Sequence, residues 1–187
     1  LLARLEREAP TVRIESVGID VASVEADLRS GQIDLAIGIV PDLGPDIRST
    51  VLLDDGYVCL VRKGHPCRAK ALTPDAFAAL DFVDVSSNAP AYRRIAERLA
   101  VLGLTRTVAT RIAHVSVAPE IVRRTDLAVI YPRSISLKLN RSGEFRLIGL
   151  PFEQESNPIL MHVHASFAED PGIAWVGSLL RGIATGG

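Results

Sequence analysis

Apolar positions along the chain switch repeatedly between two spacings, and the order of the switches outlines a fold. Leu2 and Leu5 suit one face of a short helix ended by Pro10, after which residues 11–19 carry β-branched Val12, Ile14, Val17 and Ile19, so helix then strand is predicted. Val21, Val24 and Leu28 return at helical spacing. Asp20 or Ser23 stands where a helix needs an N-cap, and Gly31 where a left-handed C-terminal cap is wanted. Residues 33–40, Ile-Asp-Leu-Ala-Ile-Gly-Ile-Val, read as a strand buried on both faces, the mark of a parallel sheet covered by helices. The first stretch is therefore predicted to be α/β.

Pro41, Gly44 and Pro45 make a loop, and residues 50–53 and 57–62 read as strands interrupted by Asp54-Asp55-Gly56, either a hairpin or a bent crossing strand. Thr73-Pro74 is a cap followed by the proline best tolerated at the first helical position. Strands are predicted at 82–85, 107–112, 127–131 and 145–150, with helices near 117–124 and 132–140. Another helix carries Tyr92, Ile95, Ala96, Leu99 and Leu102 on one face and closes at Gly103. Residues 158–167 form a last strand. Asp170-Pro171-Gly172 then opens a helix whose predicted buried stripe is Ile173, Val176, Leu180 and Ile183. A lone strand and helix cannot bury themselves, so they are expected to return to the first lobe, giving two lobes, two crossings and a cleft. Lobe I is expected to comprise 1–62 plus 163–187, and lobe II 63–162.

Composition narrows the classes. The 187 residues are 48% hydrophobic and 23% charged with net charge −1, which argues against disorder and against the concentrated basic face that duplex DNA requires. The longest apolar runs fall well short of the roughly 20 residues of a membrane helix. Met161 is the sole methionine and the chain opens in helical register, so it is read as a fragment. Cys59 and Cys67 form no CxxC pair, which suits reduced thiols in the cytoplasm.

Three motifs carry a family resemblance. Leu-Arg-Ser-Gly-Gln-Ile-Asp-Leu-Ala-Ile-Gly at 28–38 resembles the central helix end, glycine cap and buried strand of the effector-binding domain of LysR-type transcriptional regulators. Tyr-Val-Cys-Leu-Val-Arg-Lys-Gly-His-Pro at 57–66 is similar to that family's crossing strand, and Thr-Asp-Leu-Ala-Val-Ile-Tyr-Pro-Arg at 125–133 to its cleft-facing strand and turn. His164, Asp170-Pro171-Gly172 and Trp175 look like the subgroup containing regulators of aromatic-compound catabolism and nodulation. The resemblance implies a two-lobed periplasmic-binding-protein-like (type 2) α/β fold, two Rossmann-like subdomains joined by two crossing strands. It further implies a small-molecule inducer between the lobes, a homodimer or homotetramer, and DNA contact only through an N-terminal winged helix-turn-helix absent from this sequence. The family's first strand is expected ahead of Leu1, and no membrane association is expected.

Candidate contacts follow from strand ends, where open α/β sheets place ligands. His114 follows the strand at 107–112, and a histidine there contacts the inducer in the regulators this chain resembles; a loop histidine satisfied by backbone carbonyls is the alternative. Val115 and Ser116 adjoin it, with an N-cap as the other reading of Ser116. Ser86, Ser87 and Asn88 either orient a ligand or cap the Tyr92 helix. Ile19, Val21, Ile39, Ile130 and Tyr131 complete the expected lining, and Asp20 is read mainly as a cap. The apolar majority fits an aromatic ring with one acidic or phenolic group.

His162 and His164 share a strand face, but without a third ligand at usable spacing they are read as packing residues, with no metal and no cofactor expected. His65 is read as a turn residue, and Trp175 as core or dimer interface. GxSxG, GxxxxGK[ST], HExxH and strand-borne GxGxxG motifs do not occur, which argues against an enzyme. A solute-binding receptor of the same fold is the main alternative, and a small cleft enzyme the remote one.

Overall fold

The computed structural model describes residues 1–85 and 90–184. They fall into two compact units, Leu1–Asp54 with Pro158–Gly187, and Asp55–Asn157. In chain order the elements are α1 (Leu2–Glu8), α2 (Val24–Ser30), β1 (Ala36–Gly38), β2 (Ile47–Asp54), β3 (Tyr57–Arg62), α3 (Pro74–Ala78), β4 (Asp81–Val85), α4 (Pro90–Val101), β5 (Thr107–Ile112), α5 (Ala118–Arg124), β6 (Val129–Pro132), α6 (Arg133–Leu139), β7 (Phe145–Ile148), β8 (Pro158–His164) and α7 (Pro171–Ala184).

The caps act as their chemistry dictates. Thr73 Oγ1 accepts the Ala76 amide at 3.2 Å with Pro74 in the first turn of α3, and Gly31 ends α2 at φ +72°, where a side chain would be strained. Asp170 Oδ1 accepts the amides of Gly172 and Ile173 at 2.8 and 3.0 Å, satisfying two donors that the opening turn of α7 leaves free. Asp20 does the comparable service for Ala22 at 3.0 Å, whereas the Ser23 side chain bonds the Asp27 carboxylate instead.

The first unit's sheet has the order β1-β8-β2, and both pairings are antiparallel. This corrects the parallel sheet expected from residues 33–40: β8, returning from the end of the chain, lies between β1 and β2 and runs against both. Strand β1 is also shorter than expected, and Ile37 is 43% exposed; its other edge has no strand beside it among the described residues. Residues 11–19 are not a strand. Their β-branched Val12, Ile14 and Val17 stay exposed, because a β-pattern forms a strand only where a partner supplies the ladder bonds. On α7 the buried positions are Gly177 and Leu179, with Ile173, Leu180 and Ala184 packed on Leu52, Met161 and Val163. The expected stripe is thus shifted by one position at Val176 and Ile183.

In the second unit β3 is the centre of a sheet ordered β6-β3-β7, antiparallel on both sides, while β4 and β5 pair in parallel and an isolated bridge from Phe82 to Ala128 links β4 to the start of β6. Successive residues go to opposite faces. Cys59, Phe82, Ile130 and Ile148 enter one core with Phe77 and Leu99, and Leu60, Val83, Tyr131 and Phe145 enter the other with Val122. Both faces of β3 are therefore covered without the strand being parallel to its neighbours.

Strand β3 lies wholly in the second unit, so the division falls at 54/55 and 157/158, ahead of the expected 62/63 and 162/163. The Asp55 amide donates to the Asn157 carbonyl at 3.2 Å, and Asn157 Nδ2 donates to the Asp55 carbonyl at 2.9 Å, tying the unit's two ends together. The Asp55 carboxylate, itself buried, accepts the Ser134 amide at 2.9 Å and its hydroxyl at 2.6 Å.

The cysteines sit in unlike surroundings. Cys59 is fully buried in β3 and burial pushes its thiol up to about 12, whereas Cys67 is only partly covered. Since the thiolate is the reactive form, iodoacetamide on the native chain should label Cys67 and spare Cys59, with both labelled in guanidinium. Mass spectrometry of the tryptic peptides reads this, and equal labelling in the native state would contradict the buried position of Cys59.

Candidate functional site

In the second unit the candidate residues gather where β5 and β6 end. His114 lies two residues past the end of β5 at φ −109°, precedes the turn Val115–Val117, and is exposed. No hydrogen bond engages its ring among the described residues. Val115 is half-buried and Ser116 exposed; the Ser116 hydroxyl caps nothing in this turn. Tyr131, buried on β6, donates its phenol to the Val115 carbonyl at 3.3 Å, which brings two of the expected residues together beside His114.

Ile130 is drawn the other way. As the neighbour of Tyr131 on one strand it points to the opposite face and packs with Cys59, Phe82 and Ile148, 3% exposed, so it serves the core and is set apart from the His114 group. Ser86, Ser87 and Asn88 lie outside the described residues.

One residue that pattern reading assigned to the core has chemistry of its own. Tyr92, on α4, meets Tyr57 edge-on at a ring separation of 6.0 Å and packs against both cores of the unit. Its hydroxyl is buried and has no hydrogen-bond partner among the described residues. Burial, then the neighbouring Tyr57 and Tyr131 phenols, push the Tyr92 pKa up, and burial does the same to Tyr131 and takes Tyr57 to about 12. All three phenols are therefore protonated donors at neutral pH. An orphaned buried hydroxyl costs about 1–3 kcal/mol. A tyrosine on an amphipathic stripe does not announce this; only the three-dimensional neighbours of its hydroxyl do.

In the first unit, Ile19 and Val21 are exposed and Ile39 is half-covered. Ile19 reaches Gly38, where a Cβ would stand 3.7 Å from its Cδ1, so the 18–21 segment meets the end of β1. Behind them, His162 is 1% exposed, with Nε2 3.3 Å from the Gly38 carbonyl and Nδ1 2.8 Å from Ser49 Oγ. A carbonyl can only accept, so Nε2 carries the proton and the serine hydroxyl donates to Nδ1. His164 Nδ1 accepts the Ser166 amide at 3.3 Å. His65 is likewise engaged, with Nε2 at 2.9 Å from the Asp126 carbonyl and Nδ1 accepting the Cys67 amide. Among the described residues no three His, Cys, Asp or Glu groups are arranged to hold a metal ion, and no helix is long and apolar enough to cross a membrane.

The two α/β units set the fold class, and sequence comparison gives the family. Residues 1–184 match the model of the LysR substrate binding domain, and the chain belongs to that family. It is 28% identical over 187 residues to the HTH-type transcriptional activator NahR of Pseudomonas putida, with 99% of this chain and 62% of that protein covered. It is 25% identical over 179 residues to the HTH-type transcriptional activator NagR of a Ralstonia species, with 96% and 60% covered. The chain thus spans about three fifths of the length of these relatives.

Among solved structures, the probable transcriptional regulator PA0477 from Pseudomonas aeruginosa is 29% identical at a TM-score of 0.78, covering 97% of this chain and 60% of that one. The regulatory domain of MexT from the same organism, 22% identical with 98% and 89% covered, superposes at 0.78 and shares the fold. These relatives are regulators and not enzymes, and the chain is an effector-binding domain of the LysR type.

His162 has a pH consequence. Burial lowers its pKa below the ordinary 6.5, the Gly38 hydrogen bond only partly opposing this. The unfolded chain then binds a proton that the folded chain refuses, so its contribution to stability is present above 6.5 and is lost as pH falls toward the folded-state value. Thermal melts at pH 7.5, 6.5 and 5.5 should show Tm declining below 6.5, with a shallower decline in His162→Gln. Equal slopes for the two proteins would remove His162 as the cause.

Proposed function

We propose that this chain is the effector-sensing part of a bacterial LysR-type transcription regulator, and that its effector is a small planar molecule with one carboxylate or phenolic group. The observation that carries the ligand class is a second-unit group that, among the described residues, holds an unengaged imidazole at His114, a buried phenol of Tyr131 on the Val115 carbonyl, and a Tyr92 hydroxyl without a hydrogen-bond partner. Aromatic walls bury a ring at little entropic cost, and a few donors fix its polar edge. Ser116, Ser86, Ser87 and Asn88 are the further polar contributors in this reading, and Ile19, Val21, Ile39 and Val115 the apolar ones. The resemblance of His164, Asp170-Pro171-Gly172 and Trp175 to the aromatic-catabolism and nodulation subgroup supports the same class.

The regulator would act in the cytoplasm as a homo-oligomer, reaching DNA through a domain that this sequence does not contain, with the effector biasing one arrangement of the assembly over another. Consistent with this, the chain has a net charge of −1 and no overall excess of the basic residues that phosphate neutralisation needs.

Calorimetry with a panel of benzoates, salicylates and phenols tests the reading. A hydrogen bond to a charged group contributes about 1.5–3 kcal/mol, so His114→Ala should weaken carboxylate binding on the order of 10- to 150-fold. Unchanged affinity in both His114→Ala and His114→Gln would take His114 out of the site. Binding of a sugar or amino acid with no aromatic bound would take out the ligand class. Tyr92→Phe separates contact from packing: removing an orphaned hydroxyl should raise the Tm of the free protein while weakening the effector several-fold, as loss of one hydrogen bond worth about 0.5–1.5 kcal/mol implies. A higher Tm with unchanged affinity would make Tyr92 a packing residue only.

A further inference from the structure

The first unit holds a cavity of about 220 Å³ between α7 and the face of β2 and β8 that α7 covers. It is formed within the first unit alone and shares no residue with the candidate effector contacts. Side chains alternate across a strand, so Met161 on β8 faces α7 while His162 faces away. Arg48 and Thr50 stand opposite Val163 and Met161 in the β2 register and share that face. On α7, Ile173, Ala174, Gly177 and Arg181 line the space at successive turns.

Ala174 and Gly177 are the small residues that α7 presents to this space. Glycine inside a helix is less stable than alanine by roughly 0.5–1 kcal/mol. Here a Cβ at position 177 would stand only 3.0 Å from Met161 Cε, so glycine lets the methionine methyl reach the helix backbone. What remains is an apolar floor of Met161 and Ile173 under a rim carrying two guanidinium groups, those of Arg48 and Arg181.

Arg48 is positioned to exchange its partner. Its Nη1 meets Glu169 Oε1 at 2.7 Å, with the two side chains 58% and 86% exposed. Such an exposed pair contributes only about 0–1 kcal/mol, so a carboxylate brought by a ligand can take the place of Glu169 at small cost, and gains a less solvated setting over the apolar floor. A cavity of roughly 150 Å³ is enough for benzene, so about 220 Å³ suits one ring or a short alkyl chain with its carboxylate.

We propose that the Arg48–Met161–Gly177 cavity is a separate binding site for a small amphipathic carboxylate, apolar end on Met161 and carboxylate on Arg48. The site does not depend on the effector reading above. Met161, the only methionine in the sequence, is a built-in reporter: a chain labelled with ¹³C at the methionine methyl gives a single signal from the cavity floor.

Titration with benzoate and hexanoate should move that signal saturably, and the neutral benzamide should move it at least 10-fold more weakly. Arg48→Gln should weaken the carboxylates by a similar factor, and Ala174→Leu, which fills the space from an exposed helix position, should abolish the response; its circular dichroism and melting curve show whether it is folded. His114→Ala should leave the response intact. No saturable shift with either carboxylate, equal response to benzamide, indifference to Arg48→Gln or to folded Ala174→Leu, or loss of the response in His114→Ala would each overturn the proposal. Failure of aromatic binding at His114 with the Met161 response preserved would overturn only the effector reading.

Discussion

Antiparallel pairing of β8 with both β1 and β2 is the constraint from which the architecture follows. A three-residue strand and its neighbour from the first part of the chain have no ladder with each other; each finds its hydrogen-bond partners on a strand that lies more than a hundred residues further along. The first unit cannot satisfy those backbone groups from its own contiguous sequence, so it must admit the whole of the second unit as an insertion. The two crossings, the placement of α7 over Met161 and Val163, and the seating of His162 between Ser49 and Gly38 are all consequences of that one strand's position.

Local structure is legible in the sequence where a single residue's chemistry decides the outcome. Thr73-Pro74, Gly31 and Asp170 specify caps through a hydroxyl, an absent Cβ and a carboxylate, and none of these depends on distant parts of the chain. Strand direction was not legible, because burial on both faces shows only that both faces are covered. The structure assigns the doubly covered run to β3, antiparallel to β6 and β7, with the helices that cover it reached by other connections. Residues 11–19 illustrate the same limit, since β-branched residues state a preference that only a neighbouring strand can realise.

The candidate site divides along similar lines. His114 was legible because a strand end followed by a turn places an imidazole at an edge wherever the sheet lies. Ile130 and Tyr131 were not distinguishable in sequence, yet alternation along β6 sends one to the interior with Phe82 and the other to the phenol cluster beside Val115. Tyr92 was legible only as an apolar stripe member, and its chemistry depends on what its hydroxyl fails to meet. What a buried hydroxyl meets is a property of three dimensions that no spacing rule encodes.

The reciprocal bonds between Asp55 and Asn157 bear on how such a discontinuous unit forms at all. Bringing the end of β2 to the start of β8 closes a loop as long as the whole second unit, and the entropic cost of closure grows with the logarithm of that length. A second unit that folds first has already brought its own two ends together, so β8 begins beside the end of β2 as soon as it is available. During synthesis the order is the same: Asp55 to Asn157 leave the ribosome before β8 does, and domains generally fold as units. The inserted unit thereby acts as an internal template for the unit that contains it, and the last strand made is the one that completes the first sheet begun.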